Sequence, residues 1–315
     1  MAQLSEDERM SSVTDIPEGY FLFEGDILLP LDYFSQRATY GTSLWPGGIV
    51  PFQFDSGVTS QNQQNMLNAM AAWEAVANVD FVPRNGQSNF LFVQNSTGNS
   101  SEGVGMAGGQ HDIKIVSWGT FGVLAHELGH ALGYWHEQSR ADRDDFILID
   151  FDNIQQSGCG GNSCNSQFQI RGSGGEYGPY DFDSVMHYDA CSFSICCPNG
   201  STCNCASGCE TILVLPPFDV AWQSNIGQRT HLSVMDALTM SFLYPGPDWR
   251  FVEQGAGGSD AGTFQNPYRT WSRAMTQTPT GGTLWVREPD HYSAVGTYSR
   301  AMTWRAGYGA VTLGN

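Results

Sequence analysis

His126 and His130 stand four residues apart in AHELGHALGYWHEQSR, with Glu127 between them, Gly133 beyond and His136 at the far end. On a helix, two histidines at that spacing leave the same face, so both imidazoles can grip one ion. Neutral imidazole nitrogen is a good zinc donor, and the carboxylate between the pair is placed to move a proton rather than to bind metal. Gly133 lets the backbone leave the helix in a left-handed conformation, and that exit would return His136 as a third ligand. Three protein ligands leave one coordination position open, which marks a catalytic zinc rather than a structural one. The chemistry expected is hydrolysis by metal-activated water, with Glu127 as general base and then general acid.

A bare H-E-x-x-H is only moderately specific, because a helical histidine beside a glutamate is often plain surface or core. The extension to a glycine and a third histidine resembles the metzincin pattern. The residues that follow, Glu137, Arg140, Asp142, Arg143 and Asp144, look like the H-E-x-x-R-x-D-R-D run of the astacin family. Downstream, Ser184-Val185-Met186-His187-Tyr188 resembles the Met-turn of that family. The resemblance implies an α+β fold: a metzincin (astacin-like) catalytic domain with a mixed β-sheet and a zinc helix above a loop-rich, disulfide-stapled lower half. It implies Zn2+ as cofactor, a polypeptide as substrate and zinc-dependent endopeptidase activity. Met186 would then form an apolar floor under the histidines. Tyr188 would ligate the zinc at rest and swing out to hydrogen-bond the developing oxyanion, against the plainer reading of a packed aromatic. Glu137 matches the residue that ties down the new N-terminus of a mature chain; the competing reading is an ion pair with Arg140 or Arg143.

Phe23-Glu24-Gly25-Asp26 precedes the apolar Ile27-Leu28-Leu29. Read plainly, it is a turn into a strand with Asp26 solvated. It also resembles the F-x-G-D motif of astacin pro-segments, whose aspartate takes the zinc position that water needs. On that resemblance residues 1–37 are an inhibitory pro-segment, the chain is its own partner, and Asp26 ligates zinc in the zymogen. Activation cleavage is expected between Arg37 and Ala38, ahead of ATYGTSLWPGG. The peptidase domain is then 38–246, and 247–315 is a small β-rich C-terminal segment.

The elements that must position these groups read as strands at Ile49–Phe54, Phe81–Pro83, Asn89–Val93 and Ile113–Val116. Helices read at Ser60–Ala77, capped by Ser60, at Gly119–Leu132 for the histidines, and at Thr230–Leu243. The glycine-rich Gly103–Gly109 is expected near the cleft as edge strand and loop, where an extended substrate could add by backbone hydrogen bonds. Met66, Met70 and Trp73 form a helical apolar stripe, which is core. His187 reads as structural, and His111, His231 and His291 as surface or satisfied core. Asp189 could favour basic substrate side chains, with an exposed solvated aspartate as the plainer reading. The segment after Pro245-Gly246-Pro247 resembles the opening of a right-handed parallel β-helix, with a capping helix and first rungs such as Thr283–Val286; its last residues read as strand, as in a piece of something longer.

The chain has 315 residues, 14 basic and 32 acidic, so bulk charge opposes binding to nucleic acid or an anionic membrane. No apolar run approaches the length of a membrane span. All eight cysteines lie between Cys159 and Cys209. Disulfides there imply an oxidising compartment, hence a secreted protein, although residues 1–16 lack the apolar stretch of a signal; a C-x-C metal site is the alternative. A different class also stays open: a glycan- or surface-binding protein whose C-terminal segment carries the main role, with a glycan or cell surface as partner.

Overall fold

The computed structural model describes residues 16–17, 19–30, 44–157, 159, 163–171, 177–196, 208–264, 266–287 and 299–306. Residues up to Ala75 with Val79–Leu232 form one compact unit, and Val76–Asn78 with Ser233 onward form a second.

The first unit is built on a seven-stranded mixed sheet. Strands β1 (Tyr20–Phe23) and β2 (Ile27–Pro30) make an antiparallel hairpin. Strands β3 (Ile49–Phe54), β4 (Asp80–Pro83) and β5 (Phe90–Asn95) pair in parallel, β3 at the centre of the three. The two-residue β6 (Ser100–Ser101) lies antiparallel to β7 (Gln110–Ile115), which is parallel to β5. The spatial order is β1-β2-β6-β7-β5-β3-β4, so the N-terminal hairpin extends the sheet at β6. The edge expected within Gly103–Gly109 sits just before it. Gly103, Gly105, Gly108 and Gly109 all have positive φ, which ends the extended conformation at Ser101.

Two helices cover the sheet residues that carry the site. Helix α1 (Ser60–Glu74) buries Met66, Met70 and Trp73, the stripe its spacing predicts. Its cap is Thr59 rather than Ser60, because the Thr59 hydroxyl accepts from the Asn62 N–H. Helix α2 (Phe121–Leu132) is buried from Gly122 to Leu132. Indole N–H groups from both sides fix it: Trp73 donates to the Ala125 carbonyl at 3.0 Å and Trp45 to the Ala131 carbonyl at 2.8 Å. Gly129 lies in the middle of the histidine motif for a packing reason. A Cβ there would stand 2.7 Å from Met186 Sδ, so a larger residue would have to push the end of the Met186 side chain aside.

The lower half, expected to be loop-rich and held by contacts, disulfides and the metal region, has an apolar core of its own. Strands β8 (Ile147–Ile149) and β9 (Ile212–Val214) pair antiparallel, followed by the short helix α3 (Asp219–Trp222). Their isoleucines cluster with Phe168, Tyr180, Phe182, Tyr188 and Phe193. Disulfides Cys159–Cys164 and Cys196–Cys209 brace it, and Cys191 is disulfide-bonded as well. None of the described cysteines is free; Cys197, Cys203 and Cys205 fall outside the described residues, as does His291.

In the second unit helix α4 (Val234–Leu243) starts four residues later than its apolar pattern suggests. Ser233 and Asp236 form a reciprocal capping box that fixes the first turn. Strands β10 (Trp249–Val252), β11 (Thr283–Val286) and β12 (Thr303–Ala306) then stack in parallel, with Trp249, Thr283 and Thr303 in register. Helix α5 (Trp271–Gln277) packs Trp271, Ala274 and Met275 with Val252, Leu284 and Val286.

Burial of neutral histidine makes the first unit acid-sensitive. Burial, and then the charge of His130, pushes His111 down to about 3 from 6.5, and its Nε2 lies 2.8 Å from the Ser101 hydroxyl. Between those values the unfolded chain binds a proton that the folded chain refuses, so acid favours unfolding. Stability should fall from about pH 6.5 toward 3, by at most about 1.4 kcal/mol per pH unit from this residue. Urea unfolding of His111→Gln across that range should show a slope shallower by about this amount; an unchanged slope would show that His111 is not the buried neutral group.

Candidate metal centre

The first two histidines leave one face of α2, and the chain exit at Gly133, with φ of 120°, returns the third. The Nε2 atoms of His126 and His130 lie 3.1 Å apart, and those of His126 and His136 3.2 Å apart. Each opposite nitrogen is held by an acceptor at 2.8 Å: His126 Nδ1 donates to the Val185 carbonyl, His130 Nδ1 to the Tyr134 carbonyl, and His136 Nδ1 to Glu24 Oε2. These acceptors place the ring proton on Nδ1 and leave three Nε2 lone pairs facing one point. Zinc–nitrogen bonds of about 2.0–2.1 Å at tetrahedral angles require donors about 3.3 Å apart, so this donor set fits a zinc ion.

Asp26 supplies the remaining side. Its Oδ2 lies 2.8 Å from His126 Nε2 and 3.2 Å from His136 Nε2, and Oδ1 lies 3.5 Å from His130 Nε2. Asp26 and the three histidines form a buried cluster of four potential ligands. The plain reading of Asp26 as a solvated turn residue is thereby corrected: it is fully buried. Burial raises its carboxyl, but the charges of His136 and His130 and the bonds to the rings outweigh that and hold it well below the usual range. His136 is driven the other way. Although burial lowers it, Asp26 and Glu24 raise it to about 9, so a proton occupies this site strongly wherever a metal does not.

Glu127 is buried on the same helix. Burial first, then the charge of Asp26, pushes its carboxyl well above the ordinary range. Asp26 and burial thus both disfavour the charged form of Glu127. Met186 packs under Gly129, and the Met186 carbonyl accepts from the Glu137 N–H at 3.2 Å. Tyr188 is fully buried with its ring centroid 4.6 Å from that of His136. Its hydroxyl donates to the main-chain carbonyl of Glu24, and its own N–H is fixed by Gln138 Oε1 at 3.0 Å. Glu137 pairs with Arg140 at 3.2 Å and accepts from the Asp181 N–H at 2.8 Å. His187 is structural, set between the Tyr180 hydroxyl and the Tyr188 carbonyl. Asp189 is not a solvated aspartate: its carboxylate accepts from the Cys191 N–H at 2.8 Å, in the turn that leads out of the Met-turn. Arg37 and Ala38 lie outside the described residues.

The contacts the sequence did not announce are those of Glu24. It is fully buried, and Ser139 Oγ donates to it at 2.7 Å while Arg171 Nη2 stands 2.6 Å from Oε1. The available signal was a second carboxylate two residues before Asp26.

The profile of the Astacin peptidase family matches residues 37–245. The chain is 35% identical over 210 residues to zinc metalloproteinase nas-14 of Caenorhabditis elegans, covering 65% of this chain and 38% of that protein. It is 31% identical over 249 residues to human Tolloid-like protein 2, across 76% of this chain and 23% of that one. High choriolytic enzyme 1 of Oryzias latipes is 30% identical over 230 residues, across 71% of this chain and 77% of that protein. The solved structure of that enzyme, described as a hatching enzyme zinc-protease, superposes with a TM-score of 0.54 at 28% identity, over 66% of this chain and 94% of its own. The chain thus spans well under half of the first two relatives.

Zinc content tests the donor set directly. Purified chain dialysed against trace zinc should hold about one ion by atomic emission. His126→Ala and His130→Ala should each lose most of it, and Glu127→Gln should keep it. Retention of a full ion by both histidine variants would sink the assignment.

Proposed function

The chain belongs to the astacin family of peptidases, and from that premise we propose that it is a zinc endopeptidase made latent by its own N-terminal segment. The observation that carries the reading is Asp26 lodged among His126, His130 and His136. We assign 1–37 as the inhibitory pro-segment, 38–246 as the peptidase domain and 247–315 as a β-helix-like C-terminal segment, the last supported by three in-register parallel strands. Activation follows cleavage between Arg37 and Ala38. Export is supported by the disulfides; among the described residues no helix is long and apolar enough to cross a membrane.

With Asp26 displaced, His126, His130 and His136 would hold a zinc ion, which would supply a bound water of pKa about 7 and a Lewis acid for the scissile carbonyl. Glu127, freed from the neighbouring charge of Asp26, accepts the water proton and returns it to the leaving amine. The Tyr188 hydroxyl, released from the Glu24 carbonyl, turns to donate to the oxyanion as charge develops. Tyr188 is also the resting ligand. The polypeptide lies along β6, the strand β2 now occupies. Glu137 receives the new N-terminus in place of part of its present pairing with Arg140 and Asp181. The glycan-binding alternative loses ground because the family match falls on the zinc domain and not on the C-terminal segment.

Hydrolysis of a quenched peptide before and after limited trypsin tests this. The wild-type chain should be silent, then active after trimming and silent again with a zinc chelator. Asp26→Ala should be active untrimmed, Tyr188→Phe should lose about 10²-fold in kcat, and Glu127→Ala should stay silent throughout. A silent, zinc-loaded, trimmed wild-type chain would overturn the proposal.

A further inference from the structure

Among the three histidines, His136 stands apart in what holds its outer nitrogen. His126 and His130 are oriented by main-chain carbonyls of Val185 and Tyr134. His136 is oriented by a side chain of the N-terminal hairpin, Glu24. The same hairpin grips the other nitrogen of that ring through Asp26. The turn makes this double grip. Glu24 and Gly25 both have positive φ, 46° and 79°, and this pair of left-handed residues turns both carboxylates toward one imidazole. That conformation is strained for Glu24, and it persists because three donors hold the carboxylate: His136 Nδ1, Ser139 Oγ and Arg171.

Those donors are themselves fixed to the body of the first unit. The Arg171 N–H donates to the Ser139 carbonyl at 2.8 Å, and its guanidinium lies 3.3 Å over the Trp135 ring. Glu24 is therefore a fully buried carboxylate with a donor from the metal cluster and two from the body of the unit, one bond network further out than Asp26.

We propose that Glu24 is a second latch of the latent state and the outer carboxylate that orients the third metal ligand, so that the centre holds its metal more tightly latent than active. This rests on the reading that the segment is removable and that the histidines hold zinc. A carboxylate accepting from the outer nitrogen of a ligating imidazole fixes its tautomer and raises its basicity, and loss of such a partner weakens metal binding by about 10–100-fold. Removing the segment withdraws the fourth ligand and this outer partner together. Tyr188, whose hydroxyl is held by the Glu24 carbonyl, is released in the same event.

The experiment uses the full zinc-loaded chain and reads the rate at which zinc passes to a chromogenic chelator. Glu24→Gln, which keeps the shape and removes the charge, and Glu24→Ala should both release zinc about tenfold faster than wild type, with circular dichroism unchanged. Trypsin-trimmed wild type should release it faster still. In a second readout, the synthetic peptide of residues 16–30 should bind the trimmed chain at least tenfold more weakly when it carries Glu24→Gln. Wild-type release rates in both Glu24 variants, with undiminished binding of the variant peptide, would overturn the inference. Asp26→Ala is the control that separates the two ideas. If it accelerates release and unlocks activity while the Glu24 variants do neither, the latent peptidase stands and the second latch falls.

Discussion

Three imidazole nitrogens cannot converge to within 3.2 Å in a buried site unless something positive lies among them. Lone pairs repel, and desolvated dipoles of one sign have no solvent to soften the repulsion. The rest of the first unit supplies what such a cluster demands. Helix α2 gives two donors on one face, Gly133 returns the third, and carbonyls from the Met-turn and from Tyr134 fix the ring protons on the far side. Two indole donors then prevent α2 from shifting against its neighbours.

The same electrostatics explains how the N-terminal hairpin is held at the site with so little backbone contact. Only Ile27 and Ser101 pair between β2 and β6, and the Asp26 carbonyl accepts one further bond from the Ser101 N–H. The work is done by two carboxylates. Asp26 takes the fourth position around the common focus of the lone pairs, and its charge adds to burial in raising the Glu127 carboxyl. A single negative group therefore faces both the histidine cluster and Glu127, while Glu24 holds the third histidine and, through its carbonyl, Tyr188.

The zinc motif was legible because its information is local: two ligands and the base lie within one helical turn, and the third lies just past a glycine. The Met-turn was legible for the same reason. What escaped was long-range. Nothing near Glu24 in sequence announces Arg171 or Ser139, since all three meet only after the hairpin joins the sheet at β6. Asp189 misled because an aspartate after a turn is usually solvated, whereas here it caps the next turn. The β6 edge fell outside the glycine-rich stretch because positive φ excludes those residues from a strand. The core of the lower half was masked by its cysteines and glycines, although Phe168, Phe182, Phe193 and three isoleucines were in plain view.

Cutting the chain ahead of the peptidase domain does not by itself dismantle the latch. Phe23, Ile27 and Leu29 are buried in a cluster with Val104, and burial of each such side chain contributes about 1.5–3 kcal/mol. Their contacts with Val104 join the two sides of a cut near Arg37 and do not depend on the chain between. What the cut removes is the tether, which holds the hairpin at an effective concentration on the order of millimolar. After it, occupancy depends on dilution and on the affinity of the free hairpin. The two carboxylates add to that affinity, because each would leave buried cationic or donor groups without their counter-charge if it were lost in place. On the proposed latency, activation is a binding equilibrium as well as a cleavage, and the charge of two residues on one turn bears on its set point.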